Sequence, residues 1–140
     1  VSFPVDRHPD PDDVAFLEAQ LNEATHTQVG GDPPVELAVF VRDDAGEMHA
    51  GVYGMTWQGT CELQHLWVSP DRREQGLGSA LLEAAEQEAA RRGCTQVVLF
   101  SHEFQARSFY EVRGYRVVGR VADYPHGDAA LWFHKPLGGP

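Results

Sequence analysis

The stretch Leu66–Cys94, LWVSPDRREQGLGSALLEAAEQEAARRGC, passes from an apolar tripeptide through a charged loop with glycines at 76 and 78 into a long alanine-rich run. Leu77, Ala80, Leu81, Ala84 and Ala85 recur at helical spacing, and Arg91, Arg92 and Gly93 supply a basic last turn and a glycine stop. Pro70 and Asp71 end the strand that comes before. The first turn of a helix carries unpaired backbone N–H groups and a partial positive charge, so a glycine-bearing loop that opens into one suits an anion. Gly76 and Gly78 would let a diphosphate touch the backbone. Two nucleotide-binding loops are excluded by spacing. A P-loop ends in Gly-Lys-Ser/Thr, whereas Ser79 and Ala80 follow Gly78 without a lysine. A dinucleotide fingerprint needs a third glycine where Leu81 stands, and the loop before Gly76 is too long for it.

Working outward, "CELQHLWV" shows apolar residues at odd positions, Cys61 and Leu63, and then at even ones, Leu66 and Val68. Such a phase slip within a strand predicts a bulge. Before it, Leu37, Val39 and Val41 alternate with Ala38 and Phe40, "DDAG" reads as a hairpin turn, and a second strand runs through Val52 and Tyr53 to the turn "QGT". Val14, Leu17 and Leu21 give an amphipathic helix over Asp10–Ala24, followed by the loop "THTQVGGDPP". After Cys94, the apolar run "TQVVLF" predicts a central strand covered on both faces. "QARSFYEVRGY" places Ala106, Phe109, Tyr110 and Arg113 on one helical face with Gly114 as the stop, and "RVVGRV" and "AALWFHK" read as closing strands. The order predicts an α/β fold: a mixed, mostly antiparallel central sheet flanked by helices, as one domain over residues 1–140.

Composition narrows the partners. With 42% hydrophobic and 23% charged residues the chain is that of an ordinary globular protein. A net charge of −10 argues against a nucleic-acid backbone as partner and favours a cationic small substrate. No apolar run reaches the ~18–20 residues of a membrane span, and the N-terminus lacks the features of a signal peptide, so a soluble cytoplasmic protein without a membrane partner is expected. Cys61 and Cys94 have neither CxxC nor disulfide-framework spacing and read as buried small hydrophobes. The seven histidines show no HExxH or paired ligand spacing, so no metal is expected.

Arg73-Glu74-Gln75-Gly76-Leu77-Gly78, an Arg-x-x-Gly-x-Gly between a strand ending "LWV" and an amphipathic helix, resembles the acyl-coenzyme A loop of the GNAT N-acetyltransferase superfamily. "FQARSFYEVRGY" is similar to that family's later Ala-x-x-x-Tyr-x-x-x-Gly-Phe/Tyr helix, and "DYPHG…WFHKPL" looks like a bacterial branch of it. The resemblance implies the acyl-coenzyme A N-acyltransferase fold and acetyl-coenzyme A as donor. It implies that backbone groups of Leu66, Trp67 and Val68 pair with the pantetheine arm, and that Arg73, Glu74, Gln75, Gly76, Leu77, Gly78 and Ser79 cradle the diphosphate. Ala106 and Phe109 are implied as further contacts, as is Glu103, which stands where many relatives carry asparagine. A homodimer, formed through a sheet edge or the C-terminal strand "AALWFHKPL", is implied as well.

Acetyl transfer to an amine requires a neutral nucleophile, a stabilised tetrahedral oxyanion and a proton for the departing thiolate. Glu62, which matches a carboxylate base of several family members, is the first candidate to take the amine's proton, directly or through water, and His65 is the second. The backbone N–H of Val68, exposed by the bulge, suits the oxyanion, and Tyr110 matches the family's proton donor. The expected activity is transfer of acetyl from acetyl-coenzyme A to a primary amine of a small or peptide acceptor by direct attack. The alternative is a non-catalytic acyl-coenzyme A sensor or interaction module on the same fold.

Overall fold

The computed structural model describes residues 2–138. The chain divides into two compact units, one up to Pro33 and one from Pro34 onward. The first contains helix α1, Pro11–Val29, whose N-cap Asp10 accepts a hydrogen bond from the Asp12 N–H at 2.9 Å. Asp12 and Asp13 occupy the first turn, where carboxylates offset the helix dipole. The helix runs five residues beyond the expected Ala24, because "THTQV" holds no breaker and the stop is Gly30 at φ +73°. None of its residues is buried; Val14, Leu17 and Leu21 lie exposed.

The second unit is a six-stranded sheet in the order β1-β2-β3-β4-β6-β5, with β1 Val35–Arg42, β2 Met48–Trp57, β3 Thr60–Val68, β4 Gln96–His102, β5 Arg116–Ala122 and β6 Ala129–Pro136. Every neighbouring pair is antiparallel except β3 with β4. The mixed sheet read from the sequence is therefore observed. β6, the C-terminal strand named for a possible dimer contact, lies between β4 and β5 and is hydrogen-bonded to a strand on each side. The β2–β3 turn places Gln58 at φ +50° and Gly59 at φ +86° between the paired Trp57 and Thr60, the two left-handed residues that a tight hairpin requires.

Helices α2, Leu77–Arg91, and α3, Glu103–Val112, share one core with the sheet, α2 against β1 to β3 and α3 against β4 and β6. In α2 the buried residues are Leu81, Leu82, Ala85 and Ala89, whereas Ala80 is exposed, so the inward stripe is turned slightly from the expected one. Arg92 closes this helix onto the sheet: its Nη1 donates to the carbonyls of Val35 and Glu36, at 3.3 and 3.0 Å, and to Thr56 Oγ1 at 3.1 Å. Both cysteines are free and buried as expected, and burial pushes the Cys61 thiol up to about 12. β4 is central but unevenly covered, with Val97, Leu99 and Ser101 buried and Phe100 exposed on the other face.

The predicted bulge sits in the middle of β3. Tyr53 pairs with His65 and Gly54 pairs with Leu63, which leaves Gln64 as the extra residue. Cys61 and Leu63 before it and Leu66 and Val68 after it all face the core. Glu62, His65 and Trp67 consequently share the opposite face although their numbers differ in parity. Gly54 permits the close backbone approach: a Cβ there would overlap the Glu62 carbonyl oxygen and come within 2.9 Å of Leu63 Cα. Gly54→Ala should therefore destabilise the protein by about 1–3 kcal/mol or more, as overpacking against unyielding backbone does. Gly51→Ala, whose tight contact is the movable Phe40 ring at 3.0 Å and whose nearest backbone atom, the Val39 carbonyl oxygen, stands at an ordinary 3.4 Å, is the control. A thermal melt in which Gly54→Ala is as stable as the control contradicts this account of the bulge.

Candidate active site

β3 and β4 pair only over Thr60–Leu63 with Gln96–Leu99. Beyond that point β3 continues to Val68 and β4 to His102, and the strands part around a cleft of about 270 Å³. One wall is β3 from Leu63 to Trp67, the other is Leu99, Phe100 and Ser101 of β4, and Gln105 and Tyr110 of α3 complete the lining. The cleft reaches both faces of the sheet, because Tyr110 belongs to the core side and His65 and Trp67 to the opposite side.

The direction of the β3 backbone groups follows from the ladder. Ser69 N–H donates to the His49 carbonyl at 2.8 Å, so antiparallel alternation turns the N–H and C=O groups of Val68 and Leu66 away from β2 and toward the cleft. The Val68 carbonyl accepts a bond from Arg73 Nε at 3.1 Å, as this direction requires. An extended ligand arm in the cleft would thus meet a strand edge with no strand paired to it, where the Val68 carbonyl already holds Arg73.

At the end of β3 the chain makes one turn of 3-10 helix, Pro70–Arg72, and enters α2 through Glu74 at φ +66° and Gly76 at φ +81°. Gly76 is the N-cap and supplies no capping side chain. The first helical bond is that of the Ala80 N–H to the Gly76 carbonyl, at 3.0 Å, which leaves the preceding N–H groups of the first turn without intrahelical acceptors. That turn contains no acidic residue, unlike those of α1 and α3. Gly78 lets the helix approach α3 closely, since a Cβ there would lie 3.4 Å from Phe109 Cζ. Arg73, Glu74 and Gln75 are exposed, Leu77 packs on the core, and Ser79 Oγ accepts a bond from Arg113 Nε at 3.1 Å. A helix start of this kind, with free N–H groups, a nearby cation and no carboxylate in its first turn, fits a diphosphate.

Tyr110 is 8% exposed, with its ring centroid 5.1 Å from Phe109 and 5.2 Å from Phe133. Its hydroxyl has no hydrogen-bond partner among the described residues, and burial pushes its pKa above the ordinary phenol value. Of the two candidate bases, His65 lines the cleft, stacked 6.0 Å from Tyr53, while Glu62 lies exposed on the same sheet face outside the lining. Glu103 also lies outside the lining and is held by Arg107 at 2.7 Å, with Arg120 at 3.9 Å. Ala106 and Phe109 pack against the core beside Tyr110.

Gln105 and Ser101 were not among the residues expected from sequence. Gln105 Oε1 accepts from the His102 N–H at 3.1 Å and from Ser101 Oγ at 3.2 Å, which fixes the amide at the cleft wall. The capping-box spacing of His102 and Gln105 is the signal that marks this helix start. The group Asp43, Glu47 and His49, whose potential ligand atoms lie within 4.8 Å of one another, spans the β1–β2 turn and the start of β2. There Asp43 accepts from His49 Nε2 at 2.8 Å and from the N–H groups of Ala45 and Glu47.

Residues 36–117, which contain the split strands, the glycine loop and the tyrosine helix, match the family model described as an acetyltransferase (GNAT) domain. The chain belongs to the GNAT acetyltransferase family. The blasticidin-S acetyltransferase of Streptomyces morookaense is 36% identical over 107 residues, covering 74% of this chain and 78% of that protein. The crystal structure of an acetyltransferase from Bacillus cereus, 28% identical, superposes with a TM-score of 0.79 over 96% of this chain and 98% of that one. An aminoglycoside 6'-N-acetyltransferase complexed with coenzyme A shares the fold at 22% identity, with a TM-score of 0.64 over 97% of each chain. Membership makes this chain a GNAT-family N-acetyltransferase, and its sheet and two core helices are those of the family.

Proposed function

We propose that this GNAT enzyme transfers an acetyl group from acetyl-coenzyme A to a primary amine. The observation that carries the reading is the parting of β3 and β4 beside an uncapped, acid-free helix start: one place for the pantetheine arm and another for its diphosphate. The coenzyme A bound to the aminoglycoside-acetylating neighbour supports the choice of donor. In this reading the diphosphate lies on the free N–H groups of α2 with Arg73 alongside, and the arm pairs with Leu66 and Val68. The thioester is then carried to the mouth between Val68 and Tyr110.

The acceptor amine enters from the face that bears His65 and Trp67. Its nitrogen attacks the thioester carbon, the carbonyl electrons move onto oxygen, and the oxyanion is held by the Val68 N–H. Collapse breaks the carbon–sulfur bond, and the thiolate takes the Tyr110 proton. The proton lost by the amine goes to His65, the candidate base on the cleft wall, with Glu62 reaching the amine only through water. The reading needs no metal. The base assignment makes a prediction: His65→Gln should lower kcat/KM by about 10²–10⁴-fold and remove its rise with pH, while Glu62→Gln does less. The reverse order returns the role to Glu62, and no effect from either assigns it to bulk water.

The relative named for blasticidin S makes small-molecule amines of that kind the first acceptors to test. Release of free thiol from acetyl-coenzyme A in the presence of an amine panel is the test. An acetylated amine formed in step with the thiol is the expected result. Turnover only with a different acyl donor, or no turnover with any amine while coenzyme A binds, contradicts the proposal.

A further inference from the structure

Arg113 has a setting that neither the fold nor the bulge explains. Its guanidinium lies 3.9 Å above the Phe109 ring, Nε donates to Ser79 Oγ at 3.1 Å, and Nη1 donates to the Phe109 carbonyl at 2.8 Å. Every one of these partners is neutral. Among the described residues no carboxylate lies within 4.0 Å of it, in a chain with 21 acidic and 11 basic side chains. Elsewhere on these helices arginines take carboxylate partners: Arg91 and Arg92 pair with Glu88, and Arg107 with Glu103 and Glu111. Arg113 is also half-buried at the C-cap of α3, so it has given up part of its water with only the partial negative charge of that helix end, and no carboxylate, to offset it.

Its anchor places it. Ser79 is the third residue of α2, inside the turn whose N–H groups are free, and Gly78 of the same turn packs toward the Phe109 ring under the guanidinium. Arg73, likewise without a carboxylate partner, is tied to Val68 where β3 ends. Two uncompensated guanidinium groups are therefore fixed to the two elements that meet at this helix start. The two bonds occupy Nε and Nη1 on different sides of the planar group, and Nη2, which lies between their edges, makes no bond among the described residues.

We infer that Arg113 is a donor-specificity residue whose free Nη2 binds the diphosphate, so that the site selects a nucleotide-borne thioester over one carried on a single phosphopantetheine phosphate. The inference rests on the donor reading given above. With one cation the site would treat a single phosphate and a diphosphate alike; a second cation gains its full effect only when a second phosphate is present.

Calorimetric titration of the intact protein with coenzyme A, dephospho-coenzyme A and 4'-phosphopantetheine tests it, comparing wild type with Arg113→Met, which keeps an unbranched chain over Phe109. The expected result is at least a ~10-fold weaker Kd for both coenzyme A and dephospho-coenzyme A, with 4'-phosphopantetheine changed by less than about threefold. Equal weakening of all three ligands indicates a structural role at the α2–α3 contact and overturns the inference. So does a coenzyme A affinity within twofold of wild type, or a loss confined to coenzyme A, which would place Arg113 on the 3'-phosphate. Arg113→Lys, which keeps the charge but not the fork, should recover only part of the affinity. If wild type itself does not bind coenzyme A, the donor reading fails first; if wild type binds and the variant is unchanged, only this inference falls.

Discussion

Tyr110→Phe should lower kcat by about 10²–10⁴-fold, the range that general acid help is worth, while the KM for acetyl-coenzyme A changes little. The substitution removes one oxygen and leaves the ring among Phe109, Tyr115 and Phe133. That hydroxyl makes no hydrogen bond among the described residues, so the melting temperature should stay close to that of wild type. Burial has a further consequence. The phenol is held above its ordinary value of about 10, so it stays protonated and available through the neutral and mildly alkaline range. Any loss of kcat from deprotonation of Tyr110 should appear only above pH 10. A variant with nearly full kcat would make Tyr110 a packing residue, with the thiolate leaving unaided or protonated by water.

Gly76→Asp should weaken coenzyme A by about 100-fold or more and leave the fold intact. Position 76 faces open space, with nothing within 4 Å of a Cβ built there, so the obstacle is not crowding. Its φ of +81° strains any side chain, but aspartate tolerates the left-handed region better than most. As the N-cap, its carboxylate would sit by the free N–H groups of α2 and offset part of that strain. The same carboxylate would then occupy the anion site. A unit charge about 5 Å from a phosphate costs about 3 kcal/mol at an effective dielectric of ~20, which corresponds to two orders of magnitude or more in Kd. Calorimetry beside circular dichroism reads both halves of this expectation. Unchanged binding in a folded variant would remove the loop from the donor site.

How much was legible in the sequence depends on how local each feature is. The bulge at Gln64 was visible because Cys61, Leu63, Leu66 and Val68 record the phase slip within one strand. The loop and the start of α2 were visible because glycines and a helical period adjoin in sequence. The parting of β3 from β4 was not, because it depends on where a parallel neighbour distant in sequence stops pairing, and "TQVVLF" carries no mark at Leu99. Gly54 carries a local signal as well, since a lone glycine within a strand is the usual sign of close backbone approach, but the sequence does not name the backbone it meets. The Arg113–Ser79 bond and the Gln105 wall arise from α3 meeting α2 and β4, which no periodicity encodes. For α1 the apolar spacing was read correctly as a helix, yet that spacing says nothing of what the stripe meets, and none of its residues is buried.

The central claim is that the gap between β3 and β4 receives the thioester arm of the donor. The most direct measurement is a crystal structure of the protein with acetyl-coenzyme A. The account predicts the pantetheine arm lying between the two strands and bonded to backbone groups of Leu66 and Val68. It also predicts the diphosphate on the N–H groups of Gly78 and Ser79, and the thioester oxygen within ~3 Å of the Val68 N–H. Coenzyme A bound anywhere else on the protein, with the gap between β3 and β4 empty, would contradict it.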